Sequence, residues 1–164
     1  MPPAERSPGV KDEEVRSRIR KLESQAGRGL WALVLFTAVS LWAQTGFRYV
    51  PDLPPAWRDA LGSPPPPWMV SALFVVYVFS ALILGMARLA EGKAAFSGYR
   101  HVGYLTAFYV FYHVAGVLED NFWAVFIGGF VVLGLEAYAN WTACRHLIRL
   151  EQAKLPQRRE PPDT

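Results

Sequence analysis

The stretch from Val102 to Cys144 reads VGYLTAFYVFYHVAGVL, then EDN, then FWAVFIGGFVVLGLEAYANWTAC. It consists of two apolar runs, 102–118 and 122–144, separated by three polar residues. Each run is close to the ~20 residues that an α-helix needs to cross the ~30 Å hydrocarbon layer of a bilayer. Because the connection is so short, the sequence predicts an antiparallel hairpin of two transmembrane helices.

Two further apolar runs precede the hairpin, GLWALVLFTAVSLWAQTGF at 29–47 and WMVSALFVVYVFSALILGMA at 68–87. The segment that joins them contains seven prolines, which interrupt a helix by removing a backbone donor. A chain of 164 residues that is 52% hydrophobic and gathers its apolar residues into four runs is typical of an integral membrane protein. The sequence therefore predicts an all-α fold, a bundle of four transmembrane helices.

Basic residues are distributed unevenly around the four spans. Fifteen of the seventeen Lys and Arg residues lie in the N-terminal segment, in the loop 88–101 or after Cys144, whereas Arg48 and Arg58 lie on the other side. Cytoplasmic loops carry the excess of Lys and Arg, so both termini are predicted to be cytoplasmic, in a bacterial-type inner membrane. Because the basic residues flank apolar spans, the pI of 9.2 is attributed to this bias and not to nucleic-acid binding.

The chain divides into a tail, a membrane domain and an extension. The tail, 1–28, is expected to be disordered up to residue 10 and to contain a short helix at 11–26. The apolar residues of this helix repeat at i, i+4 and i+7. The helix could bind a protein partner or a lipid surface, or it could be a solvated helix that leads into span one. The membrane domain covers 29–144. The extension, 145–164, is expected to continue span four as a cytoplasmic helix to about Leu155 and then to be disordered.

Polar side chains in the hairpin recur at helical spacing. Tyr109, His113 and Thr106 share one face of span three, and Glu136 and Asn140 share one face of span four. Because lipid cannot satisfy polar groups, both faces are expected to meet inside the bundle. The residues expected to face lipid are Phe108, Phe111, Ile127, Phe130 and Trp141.

A turn centred near Asp120 would fix the depths of these side chains. It would place Glu136 level with Tyr104 in the inner leaflet and His113 toward the outer leaflet, ~14 Å apart in depth, so no ion pair is expected between them. A charge at membrane depth costs ~2.5–3.5 kcal/mol, so Glu136 is expected to be protonated or to keep a hydrogen-bond partner. Either Glu136 has a function or, with Asn140, it ties helices together.

A quinone is the ligand that these residues suit best. The carbonyl groups of a quinone need hydrogen-bond partners, and its isoprenoid tail needs an apolar slot within the bilayer. The region around His113 is predicted to provide both, with Gln44 of span one near it in depth. The candidate residues for quinone contact or proton relay are His113, Tyr109, Tyr112, Gln44, Glu136 and Asn140. No catalytic residue is proposed.

Other cofactors fit the sequence less well. A haem held by two histidines needs both at one depth, and His113 has no counterpart. His101 and His146 fall at the cytoplasmic edge, where they are interpreted as interfacial bases. Carboxylate and imidazole groups do not cluster, which disfavours a metal site. The single cysteine, Cys144, excludes an internal disulfide or a CxxC pair, and no covalently bound cofactor is expected.

Three classes of function remain open. The leading hypothesis is a small quinone-contacting or accessory membrane subunit of an electron-transfer complex, because the layout resembles, in architecture only, membrane subunits of quinol-linked respiratory complexes. One alternative is a non-catalytic scaffold or assembly protein. The other is a proton-coupled transporter that uses Glu136 and works as an oligomer. The expected partners are the lipid bilayer and either other protein subunits or further copies of the chain.

Overall fold

The computed structural model describes residues 8–47, 62, 65–92 and 97–153. Its regular secondary structure consists of four α-helices, which confirms the all-α prediction for these residues. The helices are α1 (Pro8–Gln44), α2 (Pro67–Glu91), α3 (Gly98–Val114) and α4 (Leu118–Ala153). The disorder predicted for the two chain ends lies outside the described residues, except that positions 8–10 form the first turn of α1.

Three of the four helices are long and apolar enough to cross a membrane. The segments that qualify are Glu13–Gln44, Pro67–Glu91 and Leu118–Ala153. The helix α3 has 17 residues and is therefore about 25 Å long, slightly shorter than the hydrocarbon layer. The chain is thus a helical protein with three helices suited to a bilayer and a shorter fourth helix packed beside them.

The first helix is continuous where the sequence predicts a boundary between a lead-in helix and span one. Gly27 and Gly29 fall at this boundary, yet α1 runs through both of them. Gly29 is buried, and a Cβ there would lie 2.7 Å from the Cβ of Ala137. The glycine is therefore needed for close contact between α1 and α4, and it does not mark the end of a helix.

The helices α1 and α4 run antiparallel along their length. The Asn140 side chain donates to the Gln25 carbonyl at 2.8 Å, and a Cβ at Gly129 would meet the ring of Phe36. The same register places the apolar stripe of the predicted lead-in helix beside the last turns of α4. That stripe, Val15, Ile19 and Leu22, is half-buried. We call residues 13–26 together with 141–153 the stalk.

The connection between α3 and α4 lies earlier than predicted. The turn consists of residues 115–117, with Gly116 at φ +72° and the Val117 N–H donating to the Tyr112 carbonyl at 3.0 Å. A left-handed glycine after the last helical residue is a common helix C-terminus. Glu119 and Asp120 instead occupy the first turn of α4, where negative charge favours the helix dipole.

This earlier turn changes which residues of α3 and α4 lie at the same height in the hairpin. Tyr109 stacks on Phe122 with ring centroids 5.6 Å apart, and Glu136 reaches Ser97. Glu136 therefore lies level with the start of α3, about one to two helical turns beyond Tyr104, its predicted neighbour in depth.

The predicted inner face of α4 is confirmed. Its members Val125, Gly129, Val132, Glu136 and Asn140 are all buried. The three α4 residues predicted to face lipid are all exposed, namely Ile127, Phe130 and Trp141.

The predicted face of α3 is only partly correct. Phe111 is exposed and Tyr109 is buried, as expected. Phe108 was expected to face lipid but is half-buried against Phe74, with ring centroids 5.1 Å apart. His113 was expected to be inside but is exposed.

Candidate functional site

Glu136 is buried where α2, α3 and α4 meet, and only 5% of its surface is exposed. Its Oε1 accepts hydrogen bonds from the backbone N–H of Ser97 at 2.6 Å and from the Ser97 hydroxyl at 2.5 Å. Arg88 Nη1 lies 3.2 Å from the same oxygen. One carboxylate oxygen therefore takes three donors, which offsets the cost of burying its charge.

The local structure of two helix ends creates this arrangement. Arg88 lies in the last turn of α2, and Ser97 is the N-cap residue of α3. The Ser97 side chain does not cap its own helix; it donates to Glu136 and accepts from Arg88 Nη1 at 2.7 Å. The carboxylate thus lies at the N-terminus of α3, where the helix dipole favours negative charge.

The second oxygen of Glu136 has a different environment. Among the described residues Oε2 has no hydrogen-bond partner, although it is fully buried. His101 Nε2 lies 3.4 Å away, and His101 Nδ1 is 2.7 Å from the Tyr77 hydroxyl. When that hydroxyl donates to Nδ1, the ring proton lies on Nε2, but Nε2 makes no hydrogen bond to the carboxylate. The three side chains therefore form a line, with a hydrogen bond between Tyr77 and His101 and an ion-pair distance between His101 and Glu136.

A cleft of about 200 Å³ lies beside this line, between α2 and α3 and over α4. Leu84 and Tyr104 border it and are 58% and 57% exposed, so the cleft opens sideways from the bundle. Its lining combines apolar, small and basic side chains. The residues that line it are Ala81, Leu84, Gly85, Arg88, Ser97, Arg100, His101, Tyr104, Val132 and Glu136.

Three of the six predicted site residues tie helices together away from this cleft. The Tyr109 hydroxyl donates to Ser40 Oγ at 3.0 Å, which joins α3 to α1. The Tyr112 hydroxyl lies 3.0 Å from Ser71 Oγ, which joins α3 to α2. Asn140 joins α4 to α1 through the Gln25 carbonyl. Each of these three side chains bonds a polar group of a neighbouring helix, as polar residues inside bundles commonly do.

The predicted grouping of His113, Tyr109 and Gln44 is not formed. His113 and Gln44 are both exposed, and no hydrogen bond within the described part of the chain joins either of them to Tyr109. The His113 ring packs edge-on against Phe47 with centroids 5.2 Å apart. The reason is helical phase, because the buried stripe of α3 passes through Tyr109 and Tyr112 and leaves His113 about 100° beyond Tyr112.

Four members of the site were not predicted, namely Tyr77, Arg88, Ser97 and His101. A signal for them existed in the sequence. Gly116 is the residue type that ends helices, and the acidic pair that follows is typical of a first turn. Together they indicate a turn about four residues earlier, which brings Glu136 level with Ser97.

Comparisons of the chain with protein-family models, with curated proteins and with solved structures find no match. The functional conclusion therefore depends on the geometry of the Glu136 cluster. Within the described ranges no group of three or more His, Cys, Asp or Glu side chains is placed to hold a metal ion. The residues around Glu136 instead offer hydrogen-bonding groups, positive charge and titratable side chains beside an apolar opening.

Proposed function

We propose that the chain is a four-span inner-membrane protein with both termini in the cytoplasm. Two observations support this topology. The antiparallel pairing of α1 with α4 puts the start of α1 and the end of α4 on one side, and the contact between Ser97 and Glu136 puts the junction of α2 and α3 on that same side. Most Lys and Arg residues lie there, which is the cytoplasmic side by the positive-inside rule.

Within this topology the protein acts as a quinone-contacting accessory subunit of an electron-transfer complex, and its site is the cleft beside Glu136. The single observation that carries this assignment is the buried Oε2 of Glu136, which accepts no hydrogen bond from a described residue and lies 3.4 Å from His101 Nε2 next to a lateral opening. An acceptor of this kind beside an imidazole suits the proton exchange that accompanies quinone reduction. The site proposed from the sequence around His113 is replaced by this one.

The cleft provides each contact that a quinone needs. Arg100 or His101 Nε2 would donate hydrogen bonds to the ring carbonyl oxygens, and the isoprenoid tail would leave between Leu84 and Tyr104 into the bilayer. Reduction of a quinone to a quinol consumes two electrons and two protons. A redox centre of a partner subunit would supply the two electrons, and His101 and Glu136 would relay the two protons to the ring oxygens.

The test is to measure quinone retained by protein purified in mild detergent, by solvent extraction and absorption. His101→Ala is expected to lower the retained quinone about tenfold, the effect of losing one hydrogen bond to a polar or charged group. His146→Ala, an exposed histidine on α4, is the matched control and is expected to retain quinone. If His113→Ala loses quinone and His101→Ala keeps it, the cleft is not the quinone site.

A non-catalytic scaffold is the second candidate, and the paired helices of the stalk favour it. The stalk carries exposed charged residues from both chain ends, which suits protein partners outside the membrane. In that case His101→Ala and Glu136→Gln would change only the amount of protein, and the set of co-purifying partners would stay the same. A proton-coupled transporter would instead lose a pH-driven flux in Glu136→Gln while assembling normally.

A further inference from the structure

The cleft beside Glu136 carries more positive charge than the carboxylate neutralises. Arg88 uses Nη1 for Glu136 and Ser97, and no other nitrogen of its side chain contacts a described residue. The Arg100 side chain is exposed and makes no hydrogen bond or ion pair with any residue that the structure describes. The cleft thus contains two guanidinium groups and one carboxylate, a net positive charge that suits an anionic group.

The cleft is polar at the end near the helix termini and apolar along the rest of its wall. Arg88, Ser97 and Arg100 lie at the helix ends, whereas Ala81 and Leu84 continue from them along α2 toward its middle. Gly85 lies between the two halves, where a Cβ would come within 3.0 Å of the Leu135 side chain of α4. A charged end followed by an apolar wall matches the shape of a phospholipid, which has a phosphate above an acyl chain.

We infer that the cleft binds an anionic phospholipid of the inner leaflet, with its phosphate on Arg100 and the free nitrogens of Arg88. Basic pockets between membrane helices on the cytoplasmic side commonly hold such head groups, and arginine binds phosphate oxygens through paired donors. The volume of about 200 Å³ accommodates the head group, while the acyl chain lies outside it against Leu84. The inference rests on the proposed topology but not on quinone binding, and the two ligands would compete for one cleft.

The experiment measures lipid that stays bound when the full chain is released from bilayers of equal phosphatidylglycerol and phosphatidylcholine, by native mass spectrometry. The wild-type chain is expected to keep phosphatidylglycerol in preference to phosphatidylcholine. Arg100→Gln is expected to reduce bound phosphatidylglycerol about tenfold, the effect of losing one charged hydrogen-bond donor. Arg28→Gln is the matched control, because Arg28 is exposed on α1 at the same depth but outside the cleft.

Several results would overturn the inference. Retention of phosphatidylglycerol by Arg100→Gln would do so, and so would an equal loss in Arg28→Gln, which would indicate general surface electrostatics. Displacement of the lipid by millimolar inorganic phosphate would show that a free anion, not a lipid, is the ligand. Quinone is measured in the same samples to separate the two proposals. If no quinone is retained but phosphatidylglycerol is still preferred, the proposed function fails and the lipid inference stands.

Discussion

Glu136 shows how this chain accommodates a carboxylate whose burial costs free energy. One oxygen of its carboxylate accepts hydrogen bonds from the backbone N–H of Ser97 at the N-terminus of α3, from the Ser97 hydroxyl and from Arg88. Those contacts join α4 to the end of α2 and the start of α3, so a single side chain holds three helices. The sequence predicted that Glu136 faces the inside of the bundle and is either protonated or hydrogen-bonded, because lipid cannot solvate its charge. The identity of its partners depends on the register of α3 against α4, and the register predicted from the sequence was wrong.

Replacing Glu136 by alanine is expected to destabilise the protein by about 2 kcal/mol, because Ser97 and Arg88 lose their acceptor. The loss is smaller than for a fully buried ion pair, since the Arg88 side chain is 32% exposed and water partly replaces the carboxylate. The measurement is reversible unfolding in mixed micelles, followed by circular dichroism. Asp120→Ala, an exposed carboxylate in the first turn of α4, should change stability by less than about 0.5 kcal/mol; equal losses would contradict the structural role of Glu136.

At the scale of helices, the inner face of α4 was predictable because its small and polar residues repeat at regular helical spacing. The inner face of α3 was not, since its aromatic residues surround the helix and pattern alone does not rank them. Phe108 is drawn inward by the rings of Phe74 and Tyr77. The continuity of α1 was also missed, because Gly29 resembles a break in sequence but serves close packing in the structure.

The turn at Gly116 determines the register of α3 against α4 and offers a direct test. Gly116 has φ +72°, so Gly116→Ala is expected to lower the free energy of unfolding by about 1 kcal/mol through backbone strain. Gly134 is the control, because it lies inside α4 and a Cβ there would meet nothing within 4 Å. Gly134→Ala should leave stability unchanged or raise it by up to about 1 kcal/mol. A loss in Gly134→Ala equal to that in Gly116→Ala would contradict this account.

At the scale of the whole molecule, large apolar side chains surround the helices on their outer faces. Trp31, Val76, Phe79 and Ile127 are among those more than half exposed. A water-soluble protein rarely exposes so much apolar surface, whereas a bilayer covers it. The polar groups are correspondingly gathered between helices or at the side that carries the arginines.

Topology can be tested with single cysteines in a Cys144→Ser background, since Cys144 is buried. Glu13→Cys and Gln152→Cys are expected to react with a membrane-impermeant maleimide from the cytoplasmic side. Glu119→Cys, in the first turn of α4, is expected to react from the opposite side. If Gln152→Cys and Glu13→Cys react from opposite sides, the antiparallel pairing of α1 with α4 and the four-span topology are both contradicted.

The unbroken helices α1 and α4 have a mechanical consequence. They contain 37 and 36 residues, so each is a rod of about 55 Å, about 25 Å longer than the bilayer interior is thick. Because neither rod has a hinge where it leaves the lipid, a small tilt of either one inside the bilayer swings its far tip sideways. Because α4 lines the cleft through Val132 and Glu136, a tilt of α4 at that point would displace the stalk.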